Sequence, residues 1–266
     1  MITRARLPRV ALGLVAVLLL VAPWVAAARF ASAMPAILAV PLAAAGGVVS
    51  AIVLGSLGEW LVHRYFMHKR WPSFLNTPYV LHHVAHHWHH YTPDRYLHDG
   101  PIKYHPIADP YSVCATNRGR FLVAASQIVF YLSFGIVFLF VPMWALTSNP
   151  VFVASFVATI LALCFLFLRV HDVIHHPADR WMERQRWFRF LNRHHYVHHI
   201  DTGANTNFLL PLCDGLFGTL RLELDPRETA RWGDFECATA SRVPDGEQAP
   251  PAPPPSNRVR HRLASR

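Results

Sequence analysis

Four long stretches without a charged residue constrain the fold of this chain more than any other feature. They cover residues 10–28, 30–58, 121–146 and 151–168. Each is long enough to cross a bilayer as a helix, which needs about 20 apolar residues. Only 15% of the chain is charged and 53% is hydrophobic, whereas a soluble domain carries about 25% charged residues. The sequence therefore predicts an all-α, multi-pass membrane protein.

Short polar breaks arrange the four predicted spans as two helical hairpins. Arg29 alone separates the first two runs, and residues 147–150 separate the last two. The predicted organisation is an N-terminal transmembrane hairpin (1–58), a histidine-rich region that forms a cytosolic helical cap and includes the second hairpin (59–237, with the hairpin at 121–168), and a tail (238–266). The tail is rich in proline and arginine and cannot build a core, so we expect it to be disordered.

Lysine and arginine collect on one side of the predicted spans and so orient them. They cluster at the N-terminus, between the second and third spans, and after the fourth span, whereas the opposite side has only Arg29. Because short basic loops stay in the cytoplasm, both termini and the cap are predicted to be cytoplasmic. The first run also fits a signal peptide, an interpretation that leaves the predicted position of His63 unchanged.

Composition excludes several other classes of protein. The four cysteines are scattered and form no CxxC pair, so neither a disulfide scaffold nor a zinc ribbon is predicted. The formal charge of +9 is not accompanied by a recognisable nucleic-acid-binding module, and a basic collar beside the membrane accounts for it. We therefore expect a membrane, and no nucleic acid, among the partners of this chain.

The 18 histidines are the most unusual part of the composition. Most of them fall in four clusters near the cytosolic ends of the spans. The candidate metal ligands are His63 and His68, then His83, His86 and His87, then His171 and His175, and finally His195, His198 and His199. Each half of the chain repeats a hairpin followed by two histidine clusters, so we expect the halves to face each other and enclose a site.

The histidine spacings predict which side chains share a helix face. Positions i, i+3 and i+4 of an α-helix lie on one face, so His83, His86 and His87 are expected to point one way. The histidines of the fourth cluster, His195, His198 and His199, are likewise expected to share one face. The same is expected of His171 and His175 in the third cluster. The first pair, His63 and His68, is five residues apart and suits one site only if the helix ends or distorts between them.

About ten convergent imidazoles exceed the four ligands of one structural zinc site and suit two metal ions. Residues 82–90 taken alone also fit a loose metal-binding tract, and a haem would use only axial ligands and leave most of the histidines unexplained. Two clusters have an alternative register, in which His86, His89 and His90 replace the second set and His176 replaces His175.

The four clusters in this order resemble those of the fatty acid hydroxylase / sterol desaturase superfamily of integral-membrane di-iron enzymes. The segments Asn205-Thr-Asn-Phe and Asp214-Gly-Leu-Phe-Gly-Thr are also similar to the tail motif of that family, and the resemblance runs from about Glu59 to Thr219. It implies two iron ions as cofactors, O2 as co-substrate, and hydroxylation of a C–H bond in a fatty acyl, sterol or isoprenoid lipid. A desaturase or a carotenoid-ring hydroxylase of the same superfamily is the alternative.

Other features add partners and competing functions. The sequence shows no flavin or nicotinamide fingerprint and no haem domain, so the electron donor is expected to be a separate protein. Residues 181–191 alternate aromatic and arginine residues and predict an interfacial amphipathic helix. A metal transporter is the alternative from another class, although such proteins place ionisable residues at mid-membrane, where these runs have none. Purified samples can carry zinc instead of iron, because imidazole sites accept it readily.

Three carboxylates beside the clusters are candidates for orienting the imidazoles. Glu59 precedes His63 by one helical turn, and Asp172 and Asp201 adjoin the later clusters. Histidines that bind a metal usually donate their other N–H to a carboxylate or a carbonyl. Pairing with nearby arginines is the competing interpretation of the same three residues.

Overall fold

The computed structural model describes residues 7–93, 96 and 139–232, and all regular structure in these residues is helical. The predicted all-α class is therefore confirmed. The α-helices are α1 (Leu7–Arg29), α2 (Ala36–Val62), α3 (Thr77–Tyr79), α4 (Val141–Thr147), α5 (Pro150–His175), α6 (Arg186–Ile200), α7 (Leu212–Phe217) and α8 (Pro226–Trp232). Two π-helical segments, His63–Met67 and Val80–His90, continue α2 and α3, and 3-10 turns lie at Ala31–Ala33, Ser73–Asn76 and Trp181–Arg184.

Three helices in the described residues are long and apolar enough to cross a membrane. They are Pro8–Arg29, Ala36–Met67 and Pro150–His175. The predicted third span lies mostly outside the described residues, which include only its end as α4. The prediction of four spans thus stays a prediction. The predicted disordered tail (238–266) lies outside the described residues, and a signal peptide stays an alternative interpretation of the first run.

The outer faces of these three helices are covered with large apolar side chains. Leu12 on α1 and Phe165 on α5 are each 72% exposed, and Ile37 at the start of α2 is 82% exposed. In water, exposing a continuous apolar belt of this kind would cost free energy roughly in proportion to its area. The exposed apolar belt therefore supports association of the helices with a membrane.

The loops that end α1 and begin α5 meet at one end of the bundle. The guanidinium of Arg29 donates to the Ser148 hydroxyl at 3.2 Å, and the Asn149 side-chain amide donates to the Ala28 carbonyl at 3.0 Å. The Asn149 side-chain oxygen also accepts the backbone N–H groups of Val151 and Phe152, which caps the first turn of α5. These contacts join the first predicted hairpin to the second.

Helices α2 and α5 approach each other closely at Gly47. A Cβ atom at this position would lie 2.3 Å from the Phe152 carbonyl oxygen and 3.0 Å from the Phe156 nitrogen. Both are backbone atoms and cannot rotate away. Helix α2 continues through the glycine without a break, so the residue serves packing between the two helices.

Replacement of Gly47 by alanine is expected to destabilise the bundle by about 2 kcal/mol or more, since overpacking between helix backbones forces them apart. The apparent melting temperature of the detergent-solubilised protein measures the effect. Gly215→Ala on α7 is the matched control, because no described atom lies within 4 Å of a Cβ built there. Equal melting temperatures for the two variants would contradict the close approach.

The helical cap has its own apolar core at the end of α5. Val170, Val173 and Ile174 of α5 pack against Phe188 and Leu191 of α6. Trp181, Trp187 and Phe190 on the same stretch remain exposed. The predicted amphipathic segment thus buries one face in the cap and leaves an aromatic face outside, as an interfacial helix requires.

Candidate metal centre

Nine histidines converge in two groups in the described part of the chain. In each group the nitrogens that could bind a metal ion all lie within 4.8 Å of one another. The first group holds His63, His68, His82, His87 and His198, and the second holds His86, His175, His195 and His199. Of the ten residues predicted from the sequence, eight fall in these groups, and the ligand assignment itself stays a prediction.

The first cluster reaches one group because helix α2 changes its pitch. From His63 to Met67 the backbone is π-helical, and the helix ends at His68 with φ −108° and ψ 6°. A π-helix carries more residues per turn than an α-helix, so side chains five apart come to lie on one face. The rings of His63 and His68 stack with centroids 5.0 Å apart. The expected distortion between these two residues is confirmed.

The second cluster corrects the prediction that His83, His86 and His87 share a face. Residues Val80–His90 are π-helical rather than α-helical. Side chains five residues apart therefore share a face, and His82 and His87 both face the first group. The Nε2 atom of His82 lies 2.8 Å from Nε2 of His63 and 3.1 Å from Nε2 of His87. The shared-face prediction was wrong because it assumed α-helical pitch.

The two groups adjoin each other because two helical segments contribute to both. Helix α6 is a regular α-helix in which His195 and His199, four apart, face the second group, whereas His198 faces the first. The rings of His87 and His199, one from each group, stack with centroids 4.0 Å apart. Such proximity suits a centre with two ions rather than two unrelated sites.

The remaining predicted ligands lie next to the groups. His83 is partly exposed, and its Nδ1 atom lies 2.8 Å from Nδ1 of His68. The ring of His171 lies 4.6 to 4.9 Å from the rings of His86, His175 and His195. Both therefore touch the groups without belonging to them.

The alternative registers have different outcomes. His176 lies outside both groups: its Nδ1 atom lies 3.1 Å from a carboxylate oxygen of Asp172, and its Nε2 atom lies 3.0 Å from the hydroxyl of Tyr91. The structure thus favours His175, the register preferred from the sequence. The side chains of His89 and His90 lie outside the described residues.

Backbone carbonyls fix the orientation of three imidazoles. Nδ1 of His63 lies 2.6 Å from the Thr206 carbonyl oxygen, Nδ1 of His198 lies 2.7 Å from that of Ala204, and Nδ1 of His199 lies 2.8 Å from that of Tyr91. A carbonyl oxygen only accepts, so each Nδ1 carries the hydrogen. The Nε2 lone pairs therefore point into the groups.

The carbonyl acceptors at residues 204–207 are held by a buried carboxylate. Asp214 is fully buried and accepts the backbone N–H groups of Thr206 and Asn207 at 3.1 and 2.6 Å and the hydroxyls of Thr206 and Thr219 at 3.2 and 2.5 Å. Asp214 and residues 205–207 belong to the two tail segments singled out in the sequence, and Ala204 directly precedes the first of them. Their role in this structure is to position the groups that orient His63 and His198.

Glu59 acts on the same loop and not on a histidine. Its carboxylate accepts the backbone N–H of Phe208 at 2.9 Å and the side-chain amide of Asn207 at 3.3 Å. Asn207 also donates to the Ser56 carbonyl at 2.7 Å. Helix α2 is thereby joined to the segment that carries the carbonyl acceptors.

The other two carboxylates mostly form ordinary ion pairs with arginines. Asp172 lies 3.6 Å from Arg169, and Asp201 lies 3.2 Å from Arg221. The histidine that Asp172 contacts, His176, belongs to neither group. The sequence left open whether these carboxylates orient the candidate ligands or pair with arginines. In the structure, backbone carbonyls orient the imidazoles of His63, His198 and His199 instead.

Burial keeps the imidazoles of the cap neutral at pH 7. Burial, and to a lesser degree the neighbouring imidazoles, hold the pKa of His68, His82 and His198 well below the usual value of 6.5. Burial also lowers the pKa of His199 to about 3. Neutral imidazole is the form that binds a metal, so these side chains are ready to do so near neutral pH.

The donor set fits two transition-metal ions. Two nitrogens bound to one ion at about 2.1 Å each lie at most about 4.2 Å apart, which is close to the spread observed within each group. His86 belongs to the second group. Its Nε2 atom is buried and has no hydrogen-bond partner among the described residues. A buried nitrogen without a partner costs about 1–3 kcal/mol, and a metal ion bound there would remove that cost.

Sequence reasoning missed His82 and Tyr91. The five-residue step from His63 to His68 recurs from His82 to His87 and could have indicated the first. Tyr91 offers its carbonyl to His199, and its ring lies 3.8 Å from the ring of His175. An isolated tyrosine carries no sequence signal of this role.

Comparisons of the chain with protein families, with curated proteins and with solved structures found no match.

Proposed function

We propose that this protein is an integral-membrane di-iron enzyme that uses O2 to hydroxylate a C–H bond of a lipid. The observation that carries the proposal is the pair of adjoining, buried, all-imidazole groups at the ends of apolar helices. In this proposal the chain crosses the membrane several times, with both termini and the histidine groups on the cytoplasmic side. The asymmetry of lysine and arginine supports that orientation.

Nine imidazoles without a thiolate suit iron, copper, nickel or zinc and not an iron–sulfur cluster; iron is proposed because the resemblance of the histidine clusters implies it. Bound iron would supply the redox chemistry with O2, which no side chain of the chain provides. The protein supplies position and burial. The carbonyls of Thr206, Ala204 and Tyr91 fix the imidazoles, and six of the nine imidazoles in the two groups are buried.

An apolar groove beside the second group supports a lipid as the substrate. The groove has a volume of about 240 Å³ and lies between α5, α6 and the segment after Phe208; its lining residues are Leu163, Leu166, Trp187, Phe190, Leu191, Leu209 and Leu210. Leu166 of the lining belongs to the exposed apolar face of α5. An acyl chain can therefore pass from the bilayer into the groove without crossing water.

Phe208 separates the groove from the imidazoles. Its ring lies 5.0 Å from the ring of His195 and 5.5 Å from that of His171. Phe167 packs against both Phe208 and His171. Leu209, the next residue, already lines the groove. A C–H bond presented at this wall would lie next to the second group.

The proposed function predicts incorporation of one oxygen atom from O2 into a membrane lipid. Iron-loaded protein in lipid nanodiscs, reduced with dithionite that is removed before O2 is added, should form an alcohol that carries label from isotopically labelled O2 and none from labelled water. The stoichiometry of the proposed hydroxylation is R–H + O2 + 2e⁻ + 2H⁺ → R–OH + H2O. Mass spectrometry of a broad lipid panel provides the measurement, with metal-free protein as the control.

The same experiment separates the competing functions. A desaturase would consume O2 and yield a lipid lacking two hydrogens, without label. A transporter would leave the lipid unchanged and move metal ions across liposomes. An unlabelled and unchanged lipid panel with intact, reduced, iron-loaded protein would refute the proposal.

A further inference from the structure

An exposed surface that combines cations and indole rings lies directly above the first histidine group. It consists of Lys69, Arg70 and Trp71, which follow α2, together with His83 and Trp88 of the second π-helical segment. Trp71 is 37% exposed and Trp88 is 52% exposed. Below it lies His68, a candidate ligand of the first group. We call these five residues the basic indole surface.

A short series of contacts joins this surface to the buried imidazoles. The indole N–H of Trp88 donates to Nε2 of His83 at 3.2 Å, and Nδ1 of His83 lies 2.8 Å from Nδ1 of His68. On the inner side, Nε2 of His68 lies 3.1 Å from Nε2 of His198. One side chain, His83, thus lies between Trp88 and the candidate metal ligand His68.

The charge of the surface has one sign. Residues 60–93 include three lysine or arginine residues and no aspartate or glutamate. Lys69 and Arg70 lie over the rings of Tyr65 and Tyr79, with cation-to-centroid distances of 5.5 and 5.6 Å. These contacts hold both cations beside the exposed indoles, where they attract a negatively charged partner.

We propose that the basic indole surface is the docking site for a small acidic protein that carries one electron at a time. The inference rests on the proposed function, because hydroxylation consumes two electrons that the chain cannot supply. The carrier docks, is oxidised by one electron and leaves, and a second reduced copy then repeats the step. Complementary charge raises the rate of such brief encounters, and the contacts from Trp88 through His83 to His68 connect the docked carrier with the first group.

Binding of an acidic plant-type [2Fe–2S] ferredoxin to the nanodisc-embedded protein tests the inference. The charge-reversed variant K69E/R70E is expected to bind the ferredoxin at least about tenfold more weakly than the unmodified protein. Binding by the unmodified protein is expected to weaken as salt rises from 50 to 200 mM, since salt screens exposed charges. The control R227E/R231E reverses two exposed arginines on α8 and is expected to keep its affinity within about twofold.

Separate readouts distinguish failure of the docking site from failure of the proposed function. Affinity is measured on metal-free as well as iron-loaded protein, and lipid product is measured after reduction with dithionite, which needs no docking. Product formation with dithionite, together with no ferredoxin binding by the unmodified protein or unchanged binding by K69E/R70E, would overturn the docking site and leave the proposed function standing. A difference in melting temperature between nanodiscs of anionic and of neutral phospholipid that disappears in K69E/R70E, with ferredoxin binding intact, would assign the surface to the membrane and also overturn it. Absence of product with dithionite would instead count against the proposed function.

Discussion

His175→Ala is expected to release one of two bound metal ions, whereas His176→Ala keeps both. His175 is buried in the second group, with its Nε2 atom 3.0 Å from Nε2 of His195. Its removal leaves three imidazoles of four, and loss of a ligand costs more than the 10–100-fold typical of a residue that only supports a ligand. His176 is a matched control, because it is the adjacent histidine and binds Tyr91 and Asp172 instead.

Metal content per chain after exchange into metal-free buffer measures this difference. The expected values are about one ion for His175→Ala and about two for His176→Ala. The adjacent pair His82 and His83 provides the same comparison for the first group, with the loss expected at His82. Equal retention by both members of either pair would contradict the grouping of the imidazoles.

Asp214→Ala is expected to lower the free energy of unfolding by about 3–5 kcal/mol, one of the largest effects available outside the imidazoles. The substitution leaves two buried backbone N–H groups and two hydroxyls without their acceptor. It also frees the loop whose carbonyls orient His63 and His198. We therefore expect loss of bound metal as well as loss of stability.

The apparent melting temperature of metal-free protein separates the stability effect from metal binding, and a fall of roughly 10 °C is expected. Asp172→Asn is the control, since this carboxylate is half exposed and pairs with Arg169; its effect should stay within about 0.5 kcal/mol. If the metal-free forms of both variants melted at the same temperature, Asp214 would not have the central position that the hydrogen bonds indicate.

The sequence by itself determined the helical class and the apolar helices. Uncharged runs such as residues 10–28 and 151–168 leave a chain little choice, because only a helix satisfies its backbone hydrogen bonds in an apolar surrounding. The clustering of histidines likewise predicted a site for two metal ions, and eight of the ten predicted residues lie in the two groups. These inferences depend on composition and local spacing, which are properties of the sequence alone.

Only the tertiary structure decided how the histidines divide between the groups. The helix widens to π-helical pitch at His63–Met67 and Val80–His90, and such widening depends on what each segment packs against. An interpretation that assumes α-helical pitch therefore predicts His83 as a ligand, whereas His82 lies in the first group. The orienting partners are equally non-local: Thr206 is 143 residues from His63, and Tyr91 is 108 residues from His199. A carbonyl is present in every residue, so its use as an acceptor leaves no mark in the sequence and appears only when the chain is folded.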